Sequence, residues 1–145
     1  MGPFQVLRVV RVRDGARLPT RGSNGAGGWD LFAVNGQVIC PNTRVSIPLG
    51  LSITVPDGTY GRLAGRSSVA LRHGVFVTAG VIDRDYTGEV GLILFSIGIN
   101  PYIMNEGDRI GQLLIERIAH VKIIEYEELE ETQRGCGGFG STGQR

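Results

Sequence analysis

An all-β domain is the fold class this sequence predicts, on three observations. Short apolar, β-branched segments recur along the chain, glycine, proline and Asx turns separate them, and one segment alone has the pattern of a helix. Such a chain folds as a sandwich, barrel or jelly roll. Its 145 residues suit one domain, and 41% hydrophobic residues suit a globular one.

Val6 to Val12 alternates in part and reads as the first strand. Val45 to Val55, Tyr60 to Leu63, Val75 to Val77, Glu89 to Ile97, Arg109 to Ile118 and Val121 to Tyr126 read as strands on the same grounds. Turn chemistry lies between them at Cys40-Pro41-Asn42, Val55-Pro56-Asp57-Gly58, Asn100-Pro101 and Asn105-Glu106-Gly107-Asp108. Pro48 cannot donate to a strand ladder, so it predicts a bulge or an edge. Ser67 to Arg72 predicts the one helix, with a serine available as N-cap and Gly74 just beyond. Glu125 to Glu131 reads as a solvated linker. The expected division is a β-domain over 1–126, then an acidic linker and a flexible glycine-rich segment over 127–145.

A net charge of +1 gives no general attraction to nucleic acid. The best apolar run, Val90 to Ile99, is broken by Gly91, Ser96 and Gly98 and is too short to span a bilayer. Cys40 and Cys136 lack metal-ligand spacing, and a reducing compartment is the simpler inference. The expectation is a soluble, intracellular protein of cytoplasm or nucleus, with no nucleic-acid or membrane partner. Glycine is the outlier, at 23 residues against roughly 10 for ordinary usage. It clusters at Gly22 to Gly28, Gly58 to Gly65, around Gly88 and in the last residues, a pattern of specific turns and close backbone approaches.

Five segments carry candidate chemistry. Ala79 to Gly88 should be the turn of a hairpin between apolar strands, and it holds Asp83, Asp85 and Tyr86. It reads either as an Asx-rich turn or as a general base, Asp83, beside a ring platform, Tyr86. Gly65-Arg66-Ser67-Ser68 opens the helix, either as a plain cap or as an anion site. Gly27-Gly28-Trp29-Asp30-Leu31 sets one carboxylate beside a large aromatic, and Gly107 to Gln112 enters a strand through a turn. Arg134 to Gly143 combines a cation, an aromatic, two hydroxyls and five glycines. Alone it reads as a disordered terminus, and its groups also suit a phosphorylated, ring-bearing ligand. His73 and His120 stand apart from any partner and are assigned to structure or surface.

Taken in order, Ala26 to Ala33, Gly65 to Ala70, Ala79 to Gly88 with its continuation through Phe95, Gly107 to Gln112 and Arg134 to Gly143 resemble the five motifs of the trimeric deoxyuridine triphosphatases (dUTPases), over nearly the whole chain. The resemblance implies a jelly-roll, distorted-barrel fold and a homotrimer whose sites draw on all three subunits. It implies Mg²⁺-dependent cleavage of dUTP to dUMP and pyrophosphate, which limits uracil in DNA and supplies dUMP for thymidylate synthesis. Asp83 would be the base that deprotonates the attacking water. Arg66, Ser67, Ser68, Gln112, Arg134, Ser141 and Thr142 would bind phosphates, with Gly140 letting the tail wrap them. Gly80, Val81 and Gly91 would admit the uracil edge, Tyr86 would pack under the deoxyribose, and Phe139 would close over the base. Asp30 would help hold the metal through water. Trp29, Gly65, Ser68, Gly111 and Cys136 depart from the commonest family pattern, and none removes a group with an assigned role. A dCTP deaminase relative and a non-catalytic or dual-role interaction module are the alternative readings.

Overall fold

The structure is a computed structural model that describes residues 3–144. Its elements are β1 (Arg8–Arg11), β2 (Trp29–Phe32), β3 (Gln37–Ile39), β4 (Arg44–Thr54), β5 (Thr59–Ala64), α1 (Ser67–His73), β6 (Val75–Thr78), β7 (Val81–Ile82), β8 (Val90–Ser96), β9 (Tyr102–Met104) and β10 (Arg109–Arg117). Two four-stranded antiparallel sheets, in the orders β1-β4-β8-β6 and β2-β10-β5-β7, share one core, and β3 pairs with β9 apart from them. The all-β, jelly-roll expectation holds, with one short helix.

Alternation builds that core. Val90, Leu92, Leu94 and Ser96 of β8 are buried, whereas Ile93 between them is exposed. Ile47, Leu49, Leu51 and Ile53 do the same from β4, and Leu31, Leu63, Ile110 and Leu113 join them from the other sheet. Each fully buried chain of this kind contributes roughly 1.5–3 kcal/mol.

The bulge expected from Pro48 is present, because pairing with β8 slips between Pro48 and Leu51. Gly50 sits in it at φ +67, where a Cβ would lie 2.7 Å from the Ala16 Cβ, so both conformation and space demand glycine. The helix runs one residue beyond the expected range, and Gly74 ends it in the left-handed region at φ 63. No serine caps its start. Arg66 occupies the N-cap position without a side-chain bond, and both serines fall inside the first turn.

The hairpin expected around Asp83 exists as β6 paired with β8, from Val75↔Ser96 to Thr78↔Ile93. Its connection is longer than a turn. It crosses to the other sheet, where β7 pairs with β5 at Gly61↔Ile82. The expected strand over Val121 to Tyr126 is absent. Regular structure ends at Arg117, and Val121, Ile123, Ile124 and Tyr126 are exposed. Apolar alternation forms a strand only where a partner backbone is available, and among the described residues none pairs there. Both cysteines are free and exposed, and among the described residues no helix is long and apolar enough to cross a membrane.

Candidate active site

Three segments distant in sequence converge through strand register. β10 lies between β2 and β5, and Gln112 stands opposite Asp30 on one side and Ala64 on the other. Leu31 and Leu113 point to the core, so Asp30 and Gln112 project from the opposite face. Just beyond Ala64 the chain turns into Arg66, Ser67 and Ser68. The result is an open cleft of about 290 Å³ lined by Asp30, Arg66, Ser67, Ser68, Arg109 and Gln112, with the glycine loop from Gly22 to Gly28 as one wall.

The cleft is held from several directions. Asp30 Oδ1 lies 3.7 Å from Arg66 Nε, and Oδ2 lies 3.4 Å from Arg109 Nη1. Arg66 Nη1 donates to the Arg109 carbonyl at 3.1 Å, and Gln112 Nε2 to the Gly65 carbonyl at 2.8 Å. Arg21 Nη2 ties the glycine loop by donating to the carbonyls of Asn24 and Ala26, both at 2.6 Å, while its guanidinium covers Trp29. Gln112 uses the space that Gly28 leaves, since an added Cβ would fall 2.2 Å from Gln112 Oε1. Two guanidiniums share one carboxylate here, so the wall keeps a positive excess suited to phosphate oxygens.

The other predicted residues lie outside this cleft. Asp83 is exposed in the β7–β8 loop, and its carbonyl accepts the Tyr86 N–H at 3.1 Å. No hydrogen bond among the described residues engages its carboxylate. Tyr86 donates its hydroxyl to the Glu89 carbonyl at 2.8 Å. Val81 is exposed on the edge strand β7. Gly80, at φ +114, sits where a Cβ would come 2.7 Å from the Leu63 carbonyl, and at Gly91 it would come 3.1 Å from the Ile47 carbonyl. Packing against neighbouring strands therefore already explains both glycines, a reason the sequence reading did not give. Arg134, Phe139, Gly140, Ser141 and Thr142 lie in an exposed terminal segment of short turns, where Arg134 Nε donates to the Gly137 carbonyl at 2.9 Å.

Arg109 is the residue that sequence reasoning missed. In an unbroken strand, positions 109 and 112 face opposite sides. Pairing with β2 slips between Arg109 and Gly111, which returns Arg109 to the side of Gln112 and Asp30. The adjoining glycine, Gly111, was the available signal.

The sequence model of one protein family, described as dUTPase, matches residues 14–143. The chain belongs to the dUTPase family. It is 49% identical to the deoxyuridine 5'-triphosphate nucleotidohydrolase of Kluyveromyces lactis over 139 residues, covering 95% of this chain and 94% of that protein. The mouse protein of the same name is 46% identical over 138 residues, covering 95% and 85%. Among solved dUTPases, that of Staphylococcus bacteriophage 80alpha with dUpNHpp superposes with a TM-score of 0.89 at 26% identity, covering 95% and 98%. These likenesses favour a dUTP hydrolase over a deaminase or an interaction module.

Proposed function

We propose that the protein hydrolyses dUTP to dUMP and pyrophosphate at sites shared between the subunits of a homotrimer. The observation that carries this reading is the division of the site. A cationic cleft gathers Asp30, Arg66, Ser67, Ser68 and Gln112, while Asp83 and Tyr86 lie outside its lining. A base must come within hydrogen-bond reach of the water it activates. Asp83 of one subunit facing the cleft of another meets that requirement.

Asp83 takes a proton from water, the water oxygen attacks the α-phosphorus, and pyrophosphate leaves in line. Arg66, Gln112 and the serine donors stabilise charge growing on the phosphate oxygens. The edge strand β7, with Gly80 and Val81, and Gly91 meet the uracil edge through the backbone, and Tyr86 lies beneath the deoxyribose. Arg134, Phe139, Gly140, Ser141 and Thr142 of the tail close over the base and the phosphates, excluding water.

Mg²⁺ fits as an ion carried by the substrate. Among the described residues no group of three His, Cys, Asp or Glu side chains is placed to hold a metal. Both Asp30 oxygens already face guanidiniums, so Asp30 would reach the ion only through water. Mg²⁺ favours phosphate oxygens and water, where it neutralises triphosphate charge.

The direct test supplies Mg²⁺ and each nucleoside triphosphate separately and measures pyrophosphate. Release from dUTP alone is expected, and no release from dUTP overturns the reading. Asp83→Asn and Gln112→Ala should each be nearly inactive. Their equimolar mixture, refolded together, should recover about a quarter of wild-type activity if each site draws those residues from different subunits. A mixture as inactive as its components removes the shared site.

A further inference from the structure

Tyr86 rests on a small framework that extends well outside the motif. Its phenol donates to the Glu89 carbonyl, and its ring covers Gly88, where a Cβ would meet the phenol oxygen at 2.6 Å. The Glu89 carboxylate leads away from the ring. It accepts Arg13 Nε at 2.5 Å on Oε1 and Arg13 Nη2 at 2.9 Å on Oε2. The Gly50 N–H, inside the β4 bulge, donates to the same Oε1 at 3.0 Å. Ser52 Oγ donates to the Thr87 carbonyl at 2.7 Å. Val12 N–H donates to the Gly50 carbonyl at 2.8 Å, so the end of β1, the bulge and the loop are joined around one carboxylate.

We infer that Arg13 and Glu89 are positioning residues for sugar selection, fixing the main chain that receives the Tyr86 hydroxyl and so the plane of the ring that separates deoxyribose from ribose. This rests on the dUTPase reading above. An exposed single-contact ion pair would carry little weight. This one is two-pronged, its carboxylate is only 27% exposed, and it takes a third donor from a backbone amide. The arginine hydrogen bonds hold the Glu89 carboxyl below the usual carboxylate range, against a smaller opposing effect of burial. Ring selection by contact depends on sub-ångström placement, because a 2′-hydroxyl is excluded by a surface that cannot retreat. Loosening Glu89 lets the ring retreat while every side chain proposed to bind phosphate or move a proton stays in the chain, although Asp83 shares the loop through its carbonyl bond to the Tyr86 N–H.

The test measures kcat/KM for dUTP and for UTP, with thermal unfolding, in wild type, Glu89→Ala, Arg13→Lys and Tyr86→Phe. Arg13→Lys keeps the charge and loses the fork, so it remains informative if Glu89→Ala does not fold. The dUTP-over-UTP ratio should fall about tenfold in Glu89→Ala and Tyr86→Phe, chiefly through gain on UTP. It should fall less in Arg13→Lys, and no further in the Tyr86→Phe/Glu89→Ala double variant. Variants that unfold at lower temperature with an unchanged ratio overturn the inference and leave a structural clamp. Additive losses in the double variant overturn it as well. A wild-type protein inactive on dUTP overturns the activity itself and is distinguished from both.

Discussion

Gly28→Ala tests how tightly the phosphate cleft is built. The added Cβ would stand 2.2 Å from Gln112 Oε1, 3.0 Å from its Cδ and 3.2 Å from its Cβ. Both Oε1 and Cδ stand too close, so the amide end of Gln112 must swing out of its rotamer, while the Cβ contact asks only for a small backbone adjustment. Leaving breaks its 2.8 Å hydrogen bond to the Gly65 carbonyl, which is part-buried. Loss of that bond, with the carbonyl left short of a donor, costs about 1–3 kcal/mol, or roughly 2–12 °C in unfolding temperature for a chain of this size. Activity should fall further, because a misplaced phosphate donor costs about 100-fold or more in kcat. Pyrophosphate release and thermal unfolding measure the two effects. The decisive variant is the double one. Gln112→Ala removes the atoms with which the new methyl collides, so Gly28→Ala should add little to either loss on that background. Full additivity in both assays would refute the argument that Gly28 acts by making room for Gln112.

Two further outcomes follow from the geometry. Ending the chain after Gln133 removes Arg134, Phe139, Ser141 and Thr142 and no strand. Steady-state turnover should drop at least 100-fold, while sedimentation shows an unchanged assembly. Acid should weaken the fold through Glu89 and Glu116, whose carboxyls are held below their ordinary value of 4.5 chiefly by hydrogen bonds from Arg13 and Arg62. A lowered folded pKa gives stability that is complete above the ordinary value and lost as pH falls through the lowered one. Unfolding temperatures of wild type and Glu116→Gln, measured against pH, should therefore differ near neutrality and converge in acid.

The sequence was legible where local rules decide the structure. The Pro48 bulge, the Gly74 helix stop and the buried alternation of β8 each follow from one residue's chemistry or from period two. It was illegible where structure depends on a partner. Val121 to Tyr126 has the pattern of a strand, and its alternation cannot say whether a second backbone lies beside it. β3 and β9, three residues each, are too short to carry alternation at all. Ser67 looks like an N-cap by residue type, but the extended backbone that defines the cap falls one position earlier, at Arg66. The site divides in the same way. Asp30, Arg66 and Gln112 stand out as members of motifs, whereas Arg109 joins them through a slip in register that no periodicity encodes.

The two halves of the proposed site are built to different standards, and their chemistry accounts for it. In the proposal, phosphates meet a cleft fixed by strand register, in which Asp30 and Gln112 are set by neighbouring backbones. Such donors need no reorganisation when charge develops in the transition state. The proposed closing half is a glycine-rich segment whose polar and aromatic side chains are exposed and whose hydrogen bonds, among the described residues, run within positions 132–143. Ordering it costs entropy each time a ligand binds, and a rigid tail would avoid that cost. A rigid tail would also block entry of the triphosphate and exit of pyrophosphate, since a closed site must open once per turnover. In the proposed site, rigidity at Asp30, Arg66 and Gln112 would lower the barrier, and a tail that opens and closes at Arg134 to Thr142 would admit substrate and release product.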